Sequence, residues 1–378
     1  MKKLSARECS VEVVPSIKVV DRIEWDAMAL DVYMSYGWLR IIEESFLDPV
    51  EHRYFLARAN GRLVGGVACH IHQKSQDVFT LDDSIFGRFK YLANRLGWSI
   101  LPSLICGPLR AYGQHFIFEE NLDSAERQMV ASALFDALER EADDRSISIT
   151  FNNVMAGEPE LLDLLKRRGF SKTVNFPLNY LEIRWQNPAE YRKFLAKRKL
   201  VREINKNRKE GVEISQLDPV DTCKGRLHEL LDENYMKYNG KPLPVSNNFV
   251  SLCKNYLGSE ATVYVAEKKG EIVGTIIMFH RNAVAYVTDV GVDHRATGND
   301  FTYFNLAYYR PVSDAIVMKM NRIYYGTMMY RMKAQRGCET TEIYLYHRPM
   351  RRLFRWLLVP LFAVHRLLKG GFIKWHYF

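Results

Sequence analysis

Cysteine is scarce in this sequence, and no hydrophobic run in it is long. The 378 residues include six cysteines, widely scattered and never in a Cys-x-x-Cys pair, which argues against a zinc ribbon or a dense disulfide scaffold. The longest apolar run, residues 356–364, spans nine residues with a proline inside, whereas a membrane-spanning helix needs about 20. No apolar stretch of signal-peptide length follows Lys2 and Lys3. We therefore expect a cytoplasmic protein.

Short catalytic signatures are absent as well. The sequence has no Gly-x-Ser-x-Gly nucleophile elbow, no His-Glu-x-x-His zinc motif, no Walker A loop and no Gly-x-Gly-x-x-Gly. Serine hydrolases, zinc peptidases, P-loop enzymes and Rossmann dehydrogenases thus find little support, and no metal is implied.

Positive charge is concentrated in two segments. The formal net charge is +9, yet residues 190–210 alone carry nine Lys and Arg against three Glu, and residues 348–378 carry seven Lys and Arg and no acid. Such patches attract phosphate, whether in nucleic acid, in a nucleotide-bearing donor or in anionic lipid. A solvated helix face is an equally good interpretation of each patch.

An internal repeat is the most informative feature. Residues Tyr54–His72 (YFLARANGRLVGGVACHIH) and Val263–Arg281 (VYVAEKKGEIVGTIIMFHR) both place a glycine turn between two β-rich runs. Asn-Gly between apolar runs is a strong hairpin signal and Lys-Gly is a weaker one. A second glycine follows four residues after the first in each copy, at Gly65 and Gly274. The repeat predicts two modules of the same construction.

The first copy is longer than the second. Gly61 and Gly169 are 108 residues apart, whereas the corresponding Gly270 and Gly337 are 67 apart. We place the extra segment near residues 73–115 and expect it to border the acceptor site as a lid or binding loop. A structural cover is the alternative.

The pattern as a whole predicts an α/β protein with two tandem modules, each a mixed β-sheet flanked by helices. The first module is expected over residues 1–185. The second is expected over residues 186–348 and opens with the basic helical segment that begins at Pro188. Residues 349–378 form a basic, apolar tail, either packed as a terminal helix or in contact with a membrane surface.

The order of these elements resembles the GNAT acyltransferase fold. Two such modules joined by KFLAKRKLVREINKNRKEGVEI (Lys193–Ile214) are similar to the Fem-like branch, which includes peptidoglycan aminoacyltransferases. The stretch Ala307–Glu339 is similar to that family's closing segment, in which a glycine-bearing strand precedes a lysine and a second glycine. The matching positions here are Gly326, Lys333 and Gly337. The resemblance covers roughly residues 30–348.

The resemblance implies an N-acyltransferase that joins an acyl or aminoacyl group to an amine by direct attack. The acceptor is then a small molecule or a peptide. Lys333 matches the lysine implicated in transition-state stabilisation, and a cation there suits an oxyanion. Asp289 is expected to accept or position the amine proton. The candidate catalytic residues are Lys333, Asp289 and Tyr238, and the candidate acceptor-binding residues are Tyr286 and Tyr235.

The resemblance leaves two donors open, with no tightly bound cofactor. Acyl-CoA requires an anion loop, and residues 295–300 match it at Arg295 and Gly298. Asp300 puts a carboxylate at the loop's end, where an ordinary helix N-cap is the alternative. An aminoacyl-tRNA donor instead suits the basic segment, with Arg198, Arg202 and Arg208 as donor-binding candidates.

A second class of function stays open at this stage. A non-catalytic GNAT-fold protein that binds RNA or phosphate-bearing ligands would keep the same modules and the same basic helix. The mismatch at Asp300 favours this alternative, because a carboxylate beside the anion loop argues against an acyl-CoA enzyme. Fold by itself does not fix chemistry.

Overall fold

The structure is a computed structural model that describes residues 9–73 and 101–349, together with residues 95 and 362. The described chain divides into two compact units. One contains residues 9–44, 48–176 and 342–349, and the other contains residues 45–47 and 177–341.

The first unit is a mixed sheet covered by helices. Its strands follow the order β1-β2-β3-β4-β6-β15-β7, and β5 pairs with β3 off this path. The strands are β1 Cys9–Val14, β2 Glu51–Ala59, β3 Arg62–His72, β4 Ser103–Cys106, β5 Phe116–Phe118, β6 Ser148–Val154, β7 Ser171–Val174 and β15 Tyr344–Arg348. The helices are α1 Arg22–Asp26, α2 Tyr36–Ser45, α3 Ser124–Arg145 and α4 Pro159–Arg167, with 3-10 turns at Ile17–Val19 and Val32–Met34.

The second unit repeats this plan. Its strands follow the order β14-β8-β13-β12-β11-β10-β9. They are β8 Leu178–Glu182, β9 Val212–Gln216, β10 Ala261–Lys268, β11 Glu271–Arg281, β12 Val284–Val292, β13 Arg322–Tyr324 and β14 Glu339–Thr341. The helices are α5 Pro188–Lys197, α6 Val201–Lys209, α7 Lys224–Asn239, α8 Phe249–Leu257, α9 His294–Thr297, α10 Thr302–Phe304, the π-turn Asn305–Tyr309, α11 Arg310–Val317 and α12 Tyr330–Gln335, with 3-10 turns at Asp221–Cys223 and Gly258–Glu260.

The two units have corresponding topologies, so the predicted tandem α/β architecture is confirmed. In each, an antiparallel hairpin (β2–β3 or β10–β11) is followed by an antiparallel strand (β4 or β12) that pairs in parallel with the next (β6 or β13). Both hairpin turns have two consecutive residues with positive φ, Asn60-Gly61 and Lys269-Gly270, as a type I′ turn requires.

The second repeated glycine brings a helix close to the sheet. A Cβ atom at Gly65 would lie 2.7 Å from Cγ1 of Val130 on α3. At Gly274 it would lie 3.0 Å from Cδ2 of Leu306 in the π-turn. The repeated motif therefore encodes a turn and, four residues later, the contact between helix and sheet that builds each core.

Two strands cross the predicted module boundary. β8 follows β7 directly in the chain, yet it pairs with β13 and β14 of the second unit. β15 follows β14, yet it lies between β6 and β7 of the first unit. The division thus differs from the predicted boundary at 185/186: the chain enters the second unit at residue 177 and returns to the first at residue 342. Long-range register decides these pairings, and no local pattern reports it.

The predicted insertion at residues 73–115 extends too far at its C-terminal end. Residues 103–106 are β4, a buried strand between β3 and β6. The extra segment is therefore the connection from β3 to β4, where the second unit has only Asn282 and Ala283 between β11 and β12. Most of that connection, residues 74–94 and 96–100, lies outside the described residues, so its position beside an acceptor site stays a prediction.

The predicted basic helix is two helices. Asn187 caps α5 by accepting from the backbone N–H of Glu190, and Pro188 takes the first helical position. Lys199 has φ of 60°, which ends α5 before α6 begins at Val201. The helical segment 302–317 is likewise interrupted, by the π-turn Asn305–Tyr309.

Gly291 is the point at which α7 crosses the second sheet. A Cβ atom there would lie 2.4 Å from the backbone carbonyl atoms of Leu230 and 2.6 Å from the amide nitrogen of Leu231. We predict that Gly291→Ala lowers the free energy of unfolding by about 3 kcal/mol, because backbone has to move. Gly225→Ala, on α7 with no atom within 4 Å of its Cβ, should change it by less than about 1 kcal/mol. Urea unfolding of both variants measures the difference, and equal effects would contradict the packing argument.

Candidate functional site

The second sheet opens where β12 and β13 stop pairing. The two parallel strands are in register only from Val284 to Tyr286 and from Arg322 to Tyr324. Beyond this point β12 contains a bulge, in which Asp289 and Val290 together oppose the single residue Ile276 of β11. Asp289 has φ of 48°, a conformation uncommon outside glycine. Ligands of open α/β sheets bind outside the carboxyl ends of diverging strands, so this edge is the candidate site.

The loop that leaves β13 has an unusual backbone. Gly326, Met328 and Met329 all have positive φ, and the two methionines adopt it consecutively at 67° and 53°. Such conformations persist where the surroundings impose them, and they cluster at functional sites. The side-chain amide of Asn179, on β8, donates to the carbonyl oxygens of Gly326 at 2.8 Å and Met328 at 3.2 Å.

Lys333 fixes the same loop from the other side. Its ammonium donates to the carbonyl oxygens of Tyr325, Gly326 and Thr327, at 2.7, 3.3 and 2.9 Å. The residue is 4% exposed, and burial lowers its pKa to about 8. Lys333 is therefore not a solvated surface lysine. A buried cation lies directly at the strand divergence, although its three N–H groups are engaged by the loop.

A buried ion pair holds the helix that carries Lys333. Arg336, which directly follows α12, is fully buried and donates to the Glu203 carboxylate of α6 at 2.5 Å. The hydroxyl of Tyr309 donates to the same carboxylate, and the guanidinium lies 3.7 Å from the ring centre of Phe304. Sequence reasoning missed both charged residues, since the spacing between positions 203 and 336 gives no signal of their contact.

The segment 295–300 does not present free amides to an anion. The N–H groups of Arg295 and Ala296 donate to the Asp293 side chain, and that of Gly298 donates to the carbonyl of His294. Asp300 is buried, accepts from the N–H and hydroxyl of Thr302, and pairs with Lys268 at 2.9 Å. Asp300 is thus bonded within the protein just before α10, where Phe301 and not Asp300 takes the N-cap position.

The tyrosines are dispersed rather than gathered. Tyr238 is 67% exposed at the end of α7, and Tyr235, one turn earlier, is half-buried. Burial, with a smaller effect of Tyr238, raises the pKa of Tyr303, whose hydroxyl contacts Sδ of Met329 at 3.7 Å. Tyr286 is buried within the sheet and stacks on Tyr324, with the two ring centres 5.2 Å apart. This burial argues against the acceptor-binding role predicted for Tyr286.

The basic helices present only part of their charge. Arg198 donates to the carbonyl oxygens of Ala334 and Gln335 at the end of α12 and stacks on Phe194 at 4.4 Å. It is also exposed, so its donor-binding role stays a prediction. Arg202 and Arg208 are exposed and have no hydrogen bond or ion pair to any described residue. Lys193 and Lys197 are exposed in the same way.

The matching edge of the first sheet is filled by its own side chains. His115 is buried there, with Nδ1 2.6 Å from Glu158 and Nε2 2.8 Å from the carbonyl oxygen of Asn152. Burial opposes the His115 charge, but Glu158 outweighs it and raises the pKa. Asp31, which accepts three backbone N–H groups, has its pKa raised by burial to about 6. Among the described residues, the sheet edge that side chains do not fill in this way is therefore the one beyond β12 and β13 in the second unit.

The basic tail, residues 349–378, lies outside the described residues except for Pro349 and Phe362. In the part of the chain that is described, no helix has both the length and the apolar character needed to cross a bilayer.

The Arg336–Glu203 pair gives a stability prediction. We expect Arg336→Met to lower the free energy of unfolding by about 3 to 5 kcal/mol, because the Glu203 carboxylate stays buried without its cation. Arg331→Met, an exposed change on α12, should cost less than about 0.5 kcal/mol. Thermal and urea unfolding of both variants provide the comparison, and a small loss for Arg336→Met would mean that the pair is dispensable.

Lys333 gives a pH prediction. Its folded pKa of about 8 lies below the ordinary 10.5, so between these values the unfolded chain binds the proton and the folded chain releases it. The Lys333 contribution to the free energy of unfolding therefore rises with pH, by about 2 kcal/mol from pH 8 to pH 10. The difference between wild type and Lys333→Met should show this rise, and the difference between wild type and Lys224→Met should stay flat.

Solved structures with this architecture were found at low sequence identity. FemX aligns with a TM-score of 0.59 and 11% identity, over 92% of this chain and all of its own. The C-terminal domain of a protein named as a lysylphosphatidylglycerol synthetase from Agrobacterium fabrum gives 0.54 and 11%, over 90% and 94%. A tandem GNAT protein of clavulanic acid biosynthesis gives 0.50 and 14%, over 90% and 99%. At these identities the likeness shows the fold alone.

Comparison of the sequence with curated proteins gave no match. Comparison with family models gave a match over residues 16–361 to the FemAB-like family, described as peptidoglycan biosynthesis/recognition. The match spans both units and includes the exchanged strands, α12 and the loop after β13. The tandem GNAT-type fold and this match agree, and the chain belongs to the FemAB-like family.

Proposed function

We propose that this protein is an N-acyltransferase that moves an aminoacyl group from aminoacyl-tRNA to an amine acceptor. The observation that carries the proposal is the buried Lys333 ammonium at the divergence of β12 and β13, on a loop with imposed backbone geometry. A fixed positive charge at such a point stabilises the negative charge that develops on a carbonyl oxygen under attack. Family membership supports a transfer function in general.

The reaction needs no covalent enzyme intermediate. The neutral amine nitrogen attacks the ester carbonyl carbon, the C–N bond forms, and the C–O bond to the donor's ribose breaks. The proton released by the amine passes to the leaving oxygen, so the products are an amide and a free hydroxyl. Asp289, in the β12 bulge, is the group proposed to receive and return that proton. Lys333 lowers the barrier by its charge and by fixing the loop.

The donor is inferred from two features of the second unit. The amides of the segment 295–300 are largely consumed by internal hydrogen bonds, and Asp300 adds a carboxylate paired with Lys268, so a pyrophosphate of acyl-CoA finds little to bind it. The exposed cations Lys193, Lys197 and Arg202 form a surface suited to a polyanion such as RNA. These two features support the choice of aminoacyl-tRNA over acyl-CoA in this proposal.

The acceptor is proposed to be an amine on a peptidoglycan-precursor peptide, in line with the family description. Tyr238 and Tyr235, at the end of α7, are the residues proposed to meet it. A cytoplasmic location and contact of residues 349–378 with a membrane surface stay predictions.

The donor is tested by binding. We expect Lys193→Ala/Lys197→Ala/Arg202→Ala to weaken charged-tRNA binding at least 10-fold at low salt. The number of phosphate contacts inferred from the salt dependence of binding should fall by about two to three. The control removes the same charge from exposed lysines elsewhere, Lys18, Lys166 and Lys224, and should change binding less than threefold. Tight acetyl-CoA binding together with weak, salt-independent tRNA binding would replace this donor by acyl-CoA.

The chemistry is tested by transfer. With charged tRNA and an amine-bearing precursor peptide, product formation detected by mass spectrometry should fall at least 100-fold in Lys333→Met, with tRNA binding within twofold of wild type. Lys224→Met should transfer at the wild-type rate. If wild type binds tRNA but forms no amide with any amine acceptor in the panel, the protein is instead a non-catalytic RNA-binding member of the fold.

A further inference from the structure

A cleft of about 730 Å³ lies within the second unit, between α5, α6, β9 and the helical segment 305–313. Its volume is in the range of small-molecule sites, roughly 300 to 1,000 Å³. Apolar side chains form part of its surface, namely Leu195, Ile204, Val212 and Ile214. No lining residue comes from the loop 325–329 or from α12, so the cleft is separate from the candidate acyl-transfer site.

Three arginines line this cleft: Arg192, Arg208 and Arg310. The lining contains one carboxylate, that of Glu213, so positive charge predominates. Arg310 is held in place by Asp314 at 3.0 Å and by the carbonyl oxygen of Ile214 at 2.6 Å. Arg208 has no hydrogen bond or ion pair to any described residue. A guanidinium presents a planar fork of donors that matches phosphate oxygens.

Tyr191 also lines the cleft. Its hydroxyl is buried, so a ligand in the cleft contacts the ring and not the hydroxyl.

We propose that this cleft is a binding site for a small organic phosphate, separate from the divergence of β12 and β13 at which transfer is proposed. Arg192, Arg208 and Arg310 hold the phosphate, and the apolar residues cover the organic body. The proposal goes beyond the transfer function and does not depend on the identity of the donor or acceptor.

The variants are chosen to leave the fold intact. Arg192→Ala/Arg208→Ala removes two exposed cations, and Tyr191→Phe removes only a hydroxyl. Tyr309 also lines the cleft, but its hydroxyl binds Glu203, so changing it would disturb the buried ion pair. Arg202→Ala is the matched control, because Arg202 lies on α6 with Arg208 and does not line the cleft.

The experiment is calorimetric titration of the full chain with AMP, octyl phosphate and inorganic pyrophosphate. We expect AMP or octyl phosphate to bind more tightly than pyrophosphate, and the better of the two identifies the body as nucleoside or alkyl chain. Arg192→Ala/Arg208→Ala should weaken that binding at least 10-fold. Tyr191→Phe should change it less than threefold, because the Tyr191 hydroxyl is buried. Arg202→Ala should change it less than threefold, and Lys333→Met should not change it.

Three results would overturn the proposal. One is that neither AMP nor octyl phosphate binds wild type. Another is that Arg192→Ala/Arg208→Ala binds as tightly as wild type. The third is that Arg202→Ala weakens binding as much as the double variant does, since the effect would then be general surface charge. Because Lys333→Met removes transfer but not this binding, the two functions fail independently.

Discussion

The burial of two cations three residues apart is the constraint on which the second unit depends. Lys333 lies on α12 and Arg336 directly follows it, and both are buried. A buried charge is tolerated only where partners compensate its loss of hydration. Glu203 serves Arg336, and three consecutive carbonyl groups serve Lys333. Those partners determine where α6 packs and which conformation the loop after β13 adopts, so the candidate site and the stability of this unit come from the same contacts.

The two units share a plan but differ at the corresponding sheet edge. In the first, His115, Glu158 and Asp31 fill the space beyond the parallel strands with a closed set of hydrogen bonds. In the second unit, the corresponding edge is formed by the backbone of the Asp289 bulge and of the loop 325–329, together with the buried Lys333. The first unit thus closes this edge with its own side chains, and the candidate site lies at the corresponding edge of the second unit.

The basic helices α5 and α6 serve more than one purpose. They supply Glu203 to the buried pair, Asn207 to the backbone of Asp300, and Arg198 to the end of α12. Their remaining cations are exposed or line the cleft that we assign to an organic phosphate. A count of the Lys and Arg residues in α5 and α6 therefore overstates the charge available for binding. Tertiary contacts decide which of these side chains bond to other parts of the protein and which stay exposed.

The sequence by itself determined the tandem α/β architecture, the two hairpins and the family. Turn glycines and apolar alternation are local signals, and Asn60-Gly61 and Lys269-Gly270 adopt the backbone that those signals demand. The family resemblance singled out Lys333, but nothing in the sequence indicates that Lys333 is buried. Only the tertiary structure decided that β8 and β15 exchange units, that residues 103–106 form a core strand, and that Arg198 bonds the end of α12. These outcomes depend on pairing and desolvation between residues far apart in the chain, and such contacts leave no periodicity in a single sequence.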